Sequence, residues 1–304
     1  MIKEIFYLIK PLIPRSIQIF IRRKLVKKQL NKYKDVWPIL EKAGDKPDGW
    51  LGWPNGKRFA FILTHDVELK GGHDKCLRLA LLEKELGFVS SFNFVPERYN
   101  VSPELRKELE KLGFEIGVHG LNHDGKLFTS KKIFDERAKK INDYIRQWDA
   151  IGFRAPAMHH NLEWINDLNI KYDLSTFDTD PFEPQSDGVE TIFPFIVRNG
   201  NNQNSYVELP YTLVQDFTLF ILMRERDIKL WKKKIDWIAN KGGMILVNVH
   251  PDYINFDNKN TGEEFPVELY KDLLKYLKEK YIGSYWHSLP KEIAQYVYNH
   301  YDKV

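Results

Sequence analysis

The sequence predicts an α/β protein, namely a distorted (β/α) barrel of about seven strands with an N-terminal helical extension. Short apolar runs alternate with amphipathic segments of helical period from residue 59 onwards. The run at residues 244–247 is apolar on both faces, as is typical of parallel strands covered by helices. A length of 304 residues, 43% of them hydrophobic, suits one large domain. We therefore predict a basic helical arm and connector at residues 1–50 and a barrel at residues 51–304.

Predicted strands and helices follow one another along the chain, and some helices have clear end signals. Ser102 and Pro103 supply an N-cap and a first-turn proline, and Gly113 follows the same helix as its C-terminal glycine. Residues 178–206, with three prolines, are expected to leave the barrel and to shape a cleft. The predicted strands are residues 59–63, 89–95, 114–118, 151–154, 171–175, 207–209 and 244–249, and the predicted helices are residues 74–86, 103–112, 130–148, 161–168, 227–240, 267–281 and 290–296.

The first 34 residues are strongly basic. They carry ten Lys/Arg and one Glu, a charge of +9, so the remaining 270 residues carry −5 of the total of +4. Two interpretations stay open. Residues 1–34 either contact an anionic membrane surface or form an arm that packs on the barrel and leaves its charges in water.

Several classes of protein are disfavoured by the sequence. Charges and prolines interrupt every apolar run of the N-terminus well short of the roughly twenty residues that a bilayer requires. No small-residue cleavage site follows an apolar core, so we expect no secretory signal. The basic residues belong to no recognisable nucleic-acid-binding module, so we expect no nucleic-acid partner. The expected location is the cytoplasm, either free or peripheral at the membrane.

Two pairs of polar residues at predicted strand ends carry the main chemical signal. Asp66 and Glu68 follow one strand, and His119 and His123 follow another. The carboxyl ends of barrel strands meet on one face, so the pairs are expected to converge there. Together they can hold one divalent cation and leave a carboxylate free as a base. Gly120 stands where a zinc protease of the HExxH type has its general-base Glu, which excludes that class.

Three further residues bear on this site. The single cysteine, Cys76, excludes both an intramolecular disulfide and a cysteine-based metal site. His250 ends an apolar run, where it can protonate a leaving group or serve as a hydrogen-bonded structural histidine. Arg154 also ends a predicted strand, where it either lowers the pKa of Asp66 and orients it or forms an ordinary structural salt bridge.

Four motifs in order carry a family resemblance. They are Thr64-His65-Asp66-Val67-Glu68, His119-Gly120-Leu121-Asn122-His123, Arg154-Ala155-Pro156 and the late strand that ends in His250. In this order they resemble the polysaccharide deacetylases with a NodB homology domain, carbohydrate esterase family 4. The resemblance runs from about residue 59 to residue 250 and leaves the basic arm outside it. Val67 stands where the commonest form of the first motif has its second Asp, so the chain resembles an Asp-x-Glu variant.

The resemblance implies roles for individual residues. Asp66 is expected to be the catalytic base, with exchanged roles for Asp66 and Glu68 left open. His250 is expected to protonate the leaving amine, and the backbone N–H of Ala157 to stabilise the carbonyl oxygen. Asp178 is expected to orient His250, with Asp173 as the alternative. The expected ligands of one divalent metal ion, Zn²⁺ or else Fe²⁺, Co²⁺ or Ni²⁺, are Glu68, His119 and His123.

The implied activity is removal of an N-acetyl or other N-acyl group from an amino sugar. The substrate would be a poly- or oligosaccharide or its lipid- or nucleotide-linked precursor, as in surface polysaccharide biosynthesis. Two alternatives stay open. One is an allantoinase-like amidohydrolase that acts on a non-sugar amide, and the other is a catalytically degenerate, carbohydrate-binding barrel.

Overall fold

A curled sheet of nine mostly parallel strands forms the centre of the computed structural model, which describes residues 14–198, 205–257 and 262–301. This architecture confirms the predicted distorted (β/α) barrel. The strands of the sheet are β1 (Phe59–Val67), β2 (Ser91–Phe94), β3 (Glu115–His119), β4 (Gly152–Arg154), β5 (Tyr172–Asp173), β6 (Phe195–Arg198), β7 (Ser205–Glu208), β8 (Met244–Asn248) and β11 (Tyr285–His287), and a separate pair consists of β9 (Ile254–Asn255) and β10 (Phe265–Pro266).

Helices cover the sheet in the order that the sequence predicts. They are α1 (Arg15–Tyr33), α2 (Lys70–Leu86), α3 (Pro103–Lys111), α4 (Lys131–Gln147), α5 (Leu162–Ile165), α6 (Lys229–Lys241), α7 (Val267–Lys280) and α8 (Pro290–Tyr301). A π-helix at Phe217–Leu222 and short 3₁₀ turns, among them Pro156–Met158 and Pro251–Tyr253, complete the described structure. The predicted cap of α3 is present, since the hydroxyl of Ser102 accepts a hydrogen bond from the N–H of Leu105.

Strand β1 is a central strand of the sheet, and all nine of its residues are buried. It pairs in parallel with β8 on one side, and with β11 and then β2 on the other. An irregular segment after β7 contacts β8 directly, since the N–H of Thr212 donates to the carbonyl of Leu246 in β8 (3.0 Å). Because β1, β2, β3, β4 and β8 run in one direction, their carboxyl ends meet at one end of the barrel.

The differences from the predicted elements have local physical causes. Strands β6 and β11 were not predicted: β6 pairs antiparallel with β7 inside the segment expected to leave the barrel, and β11 has only three residues. Helix α2 begins four residues earlier than predicted because a distant carboxylate, Asp252, accepts the N–H groups of Leu69 and Gly72 at its start. Helix α5 is shorter than predicted, and the side chain of Asn166 bonds the Leu162 carbonyl where the helix ends.

Helix α1 is the described part of the basic arm. Ile19 and Val26 are buried against the barrel, so the arm does pack on the protein. Residues 1–13, which include the first apolar run, lie outside the described residues. Among the described helices, none combines the length and the apolar character needed to cross a bilayer.

Candidate active site

Asp66, near the end of β1, is held by three side chains. Its Oδ1 accepts hydrogen bonds from Asn93 (3.0 Å) and from the guanidinium of Arg154 (3.2 Å), and its Oδ2 accepts one from Asn248 (2.8 Å). Burial alone would raise the pKa of Asp66, but the Arg154 guanidinium is the chief influence that holds it well below its usual range. The structure therefore brings together Asp66 and Arg154, as the sequence predicts, and presents Asp66 as a fixed carboxylate.

Glu68, His119 and His123 form the second cluster. One possible ligand atom from each lies within 4.8 Å of the other two, and Nε2 of His123 is 3.0 Å from Oε1 of Glu68. Nδ1 of His119 donates to the carbonyl of Arg154 (3.1 Å), which leaves the lone pair of its Nε2 for a ligand role. The sequence prediction that these three side chains meet is thus met in the structure.

The donor set fits a divalent cation on three observations. Nε2 of His123 is buried and makes no well-aligned hydrogen bond among the described residues, although Oε1 of Glu68, a fellow candidate ligand, lies only 3.0 Å away. Burial lowers the pKa of His119 to about 4, so its imidazole is neutral, as a ligand must be. Burial acts to raise the pKa of Glu68, but the nearby His123 holds it well below the usual range. Two imidazole nitrogens and one carboxylate oxygen suit Zn²⁺ and other first-row divalent ions.

A tight turn after β3 brings the two histidines together. Gly120 has φ +60°, and a Cβ atom there would lie 2.5 Å from Cδ and Cγ of Pro156. Only glycine accommodates both the left-handed backbone and the close proline. His123 also has a positive φ, +55°, and its ring centroid lies 5.1 Å from that of His119. The HxxxH spacing therefore works here through a strained turn rather than through a helix.

His250 follows β8 and is held by Asp216. Its Nδ1 lies 2.7 Å from Oδ1 of Asp216, and its backbone N–H donates to Oδ2 (2.8 Å). Burial acts to lower the pKa of His250, but the ion pair with Asp216 raises it to about 10. Nε2 of His250 is 4.0 Å from Oε1 of Glu68, so the imidazole faces the candidate metal ligands.

The prediction that Asp178 orients His250 is wrong. Asp178 is buried in an ion pair with Lys234 (2.8 Å), and Asp173 accepts hydrogen bonds from Ser175. Asp216 was missed because it lies after β7 in a stretch with no predicted helix. Its position immediately before an apolar run, whose first N–H it accepts (2.8 Å), is an N-cap signal that could have drawn attention to it.

Other polar residues of the site were also missed by sequence reasoning. The hydroxyl of Tyr253 donates to Oε2 of Glu68 (2.9 Å), and Asp252 accepts the backbone N–H of Glu68 (2.8 Å). Behind the site, His65 contacts the carbonyl of Val249 and the carboxylate of Glu83, each at 2.7 Å. These contacts join β1 to the segment after β8 and fix the positions of Glu68 and His250 relative to one another.

Ala157 lies in the 3₁₀ turn directly after β4. Its φ is +56°, and among the described residues its N–H has no hydrogen-bond acceptor. The turn starts beside Gly120, because Pro156 packs on that glycine and the N–H of Gly120 donates to the carbonyl of Arg154 (3.0 Å). The turn that carries this N–H therefore adjoins the turn between His119 and His123.

Comparisons with known proteins place the fold. No family model matches the chain, and no curated protein matches it by sequence. A solved structure assigned as a polysaccharide deacetylase from Mycobacterium smegmatis is 17% identical with a TM-score of 0.63, and covers 84% of this chain and 95% of its own. One with the same assignment from Pseudomonas aeruginosa is 14% identical, with a TM-score of 0.62, covering 82% and 94%. Puue allantoinase is 14% identical, with a TM-score of 0.64, covering 82% and 93%. The chain therefore has the fold of the polysaccharide deacetylases, that of the NodB homology domain and carbohydrate esterase family 4.

Proposed function

We propose that this protein is a metal-dependent hydrolase that removes an N-acetyl or other N-acyl group from an amino sugar, in a poly- or oligosaccharide or in its lipid- or nucleotide-linked precursor. One observation carries the proposal. A set of side chains that can bind a cation lies at one end of the barrel, next to the separate carboxylate of Asp66 and the imidazole of His250. Nε2 of His119 lies 3.9 Å from Oδ2 of Asp66, and Nε2 of His250 lies 4.0 Å from Glu68. The fold alone would not carry this proposal.

Glu68, His119 and His123 would hold the cation, with Zn²⁺ as the proposed ion. When bound, a divalent ion of this kind polarises an amide carbonyl and makes water more acidic. Asp66 accepts the proton of the attacking water in this proposal. Its hydrogen bonds to Asn93, Arg154 and Asn248 favour the ionised carboxylate and support its assignment as the base rather than as a ligand.

His250 is the proposed general acid. An amide nitrogen is a very poor leaving group until it is protonated, so the reaction needs a proton donor on that side. Oδ1 of Asp216 accepts a hydrogen bond from Nδ1–H of His250, which leaves Nε2 facing the site to donate its proton to the departing amine. The N–H of Ala157 is proposed to stabilise the negative charge that develops on the carbonyl oxygen.

The proposal predicts acetate release that depends on a metal ion. The full chain, before and after treatment with a chelator, would be incubated with N-acetylglucosamine oligosaccharides, and free acetate would be measured. We expect release that the chelator abolishes and that added Zn²⁺ restores. Asp66→Asn should lose activity, whereas Lys139→Gln, on the exposed face of α4, should retain it. Release that is unchanged by the chelator would contradict the proposal, and a chain that copurifies with little metal and releases no acetate would indicate a binding-only barrel.

A non-sugar amide is the second candidate substrate. We consider this substrate class because the chain resembles the structure of an allantoinase, with a TM-score of 0.64. A base, an acid and a cation site would act on a small cyclic amide in the same way. Parallel assays on allantoin and on acetylated amino sugars distinguish the two. The first proposal predicts that only the N-acetyl amide of the amino sugars is hydrolysed.

A further inference from the structure

One face of helix α1 packs on the active-site end of the barrel. Ile19 and Val26, two helical turns apart, are 5% and 4% exposed. The guanidinium of Arg23 donates to a carbonyl of the π-helix (2.9 Å), and Gln29 donates to the carbonyl of Pro181 (2.8 Å). These partners belong to segments that follow the carboxyl ends of β5 and β7. Helix α1 therefore lies beside the same end of the barrel as the candidate active site.

The helix also contacts residues that adjoin the site itself. Nη2 of Arg15 lies 3.3 Å from the hydroxyl of Tyr253, and that hydroxyl donates to Glu68 (2.9 Å). The guanidinium of Arg22 lies over the ring of Phe217, 4.8 Å from its centroid, and Phe217 directly follows the aspartate that holds His250. Helix α1 thus forms part of the rim of the active-site opening.

The opposite face of α1 is apolar and exposed. At 100° per residue, the side chains that point away from Ile19 and Val26 fall on one side of the helix. They include four large apolar residues, of which Phe20 and Leu25 are each 55% exposed. We define this outward face by Ile17, Phe20, Ile21, Lys24, Leu25 and Lys28.

The positive charge of helix α1 favours an anionic partner. Residues 15–34 carry eight Lys/Arg and no Asp or Glu, whereas the chain beyond residue 34 carries a net −5. Two copies of such a face would bring like charges together, which disfavours self-association through it. Exposed aliphatic and aromatic side chains with lysines among them match the interface of an anionic bilayer, where apolar groups enter the acyl boundary and ammonium groups meet the headgroups.

We propose that the outward face of α1 docks this protein on an anionic lipid surface. The buried face of the helix keeps it attached to the barrel, so docking would bring the rim of the active-site opening close to the headgroups. The docking itself does not depend on the proposed enzymatic activity. Its test therefore uses binding as the readout, with soluble-substrate activity only as a control.

The test is co-sedimentation of the full chain with vesicles of phosphatidylglycerol and phosphatidylcholine, compared with phosphatidylcholine alone. We expect binding to the anionic vesicles only. Phe20→Ser combined with Leu25→Ser should weaken partitioning by roughly tenfold or more, since both apolar groups are lost from the interface. Lys24→Glu combined with Lys28→Glu should do the same through charge.

Matched control variants exist on the same chain. Leu51 and Ile282 are 72% and 79% exposed, so Leu51→Ser with Ile282→Ser removes exposed apolar area elsewhere. Lys132→Glu with Lys139→Glu makes the same charge change on the exposed face of α4. Both controls should bind as the wild type does. Any acetate release from a soluble oligosaccharide should be equal in all variants, which separates failure of docking from failure of the proposed activity.

A fluorescent probe gives a second measurement. Cys76 is fully buried, so a dye attached after Leu25→Cys labels the outward face alone, and Ile282→Cys supplies the control site. Anionic vesicles should shift the emission of the probe at position 25 to the blue and leave that at position 282 unchanged. The proposal is overturned by equal binding to neutral vesicles, by no binding, or by equal loss in the control variants. It is also overturned by a concentration-dependent dimer that Phe20→Ser with Leu25→Ser dissociates.

Discussion

The carboxylate of Asp216 holds the imidazole of His250, with Oδ1 and Nδ1 2.7 Å apart and the backbone N–H of His250 on the other carboxylate oxygen. Asp216 is buried, and it also caps the π-helix that packs against helix α1. One side chain therefore orients the proposed general acid and anchors a segment of the active-site rim.

Asp216→Asn is expected to lower kcat by about hundredfold or more, with KM for the substrate changed by less than about threefold. The amide has only one oxygen to accept the hydrogen bonds from Nδ1–H and from the backbone N–H of His250, so the orientation of Nε2 is lost while substrate contacts remain. Steady-state kinetics of acetate release measure this. Asp178→Asn is the matched control, since Asp178 pairs with Lys234, and its kcat should stay near the wild-type value. Equal losses in the two variants would contradict the assigned role of Asp216.

The positions of the main site residues could be predicted because the signals are local. Asp66, His119, Arg154 and His250 each stand at the end of an apolar run, and parallel strands carry such ends to one face. The role of Asp216 could not be predicted in this way, because its partner follows β8 while Asp216 itself lies in an irregular segment after β7.

Some elements of the fold also depend on contacts between residues that are far apart along the chain. The early start of α2 depends on Asp252, 183 residues away from Leu69 along the chain. Strand β11 is recognisable only from its pairing with β1, since three residues give no periodic pattern. Helix α1 has apolar residues on two opposite sides, since Ile19 and Val26 face the barrel while Phe20 and Leu25 face outward, so its sequence shows no single apolar stripe.

Gly120→Ala should lower the free energy of unfolding by about 1–3 kcal/mol more than Gly113→Ala does, and should weaken metal binding. Both glycines have a positive φ, but a Cβ at Gly120 meets Pro156 at 2.5 Å whereas one at Gly113 meets nothing within 4 Å. Denaturant unfolding of the two variants isolates the contact with Pro156. Equal destabilisation of both would show that the proline contact is unimportant.

Glu115 is expected to make stability fall as pH rises from about 5 to 7. Burial raises the pKa of Glu115 from 4.5 to about 7, although Tyr172 and the N–H of Lys291 donate to it. Because the folded pKa exceeds the unfolded value, the native state binds the proton more tightly, and this contribution is lost as pH rises through the folded pKa. Over the full shift of the pKa from 4.5 to about 7, the free energy of unfolding should fall by about 3 kcal/mol.

Comparison with Glu115→Gln isolates this contribution. Between pH 5 and pH 8, the wild type should lose stability relative to Glu115→Gln as the pH rises. Denaturant titration of both proteins at each pH measures this difference in the free energy of unfolding. Lys139→Gln, on the exposed face of α4, serves as the pH control. A difference that stays constant across this range would contradict the raised pKa.

Glu68 is proposed to belong to the cation site together with His119 and His123, whereas Asp66 is proposed to be the base and not a ligand. Metal content and acetate release, measured on the same preparations of Asp66→Asn and Glu68→Gln, test these assignments most directly. We predict that Asp66→Asn keeps about one ion per chain and loses at least about hundredfold in activity, whereas Glu68→Gln loses both metal and activity. Loss of the metal in Asp66→Asn together with its retention in Glu68→Gln would contradict these two assignments.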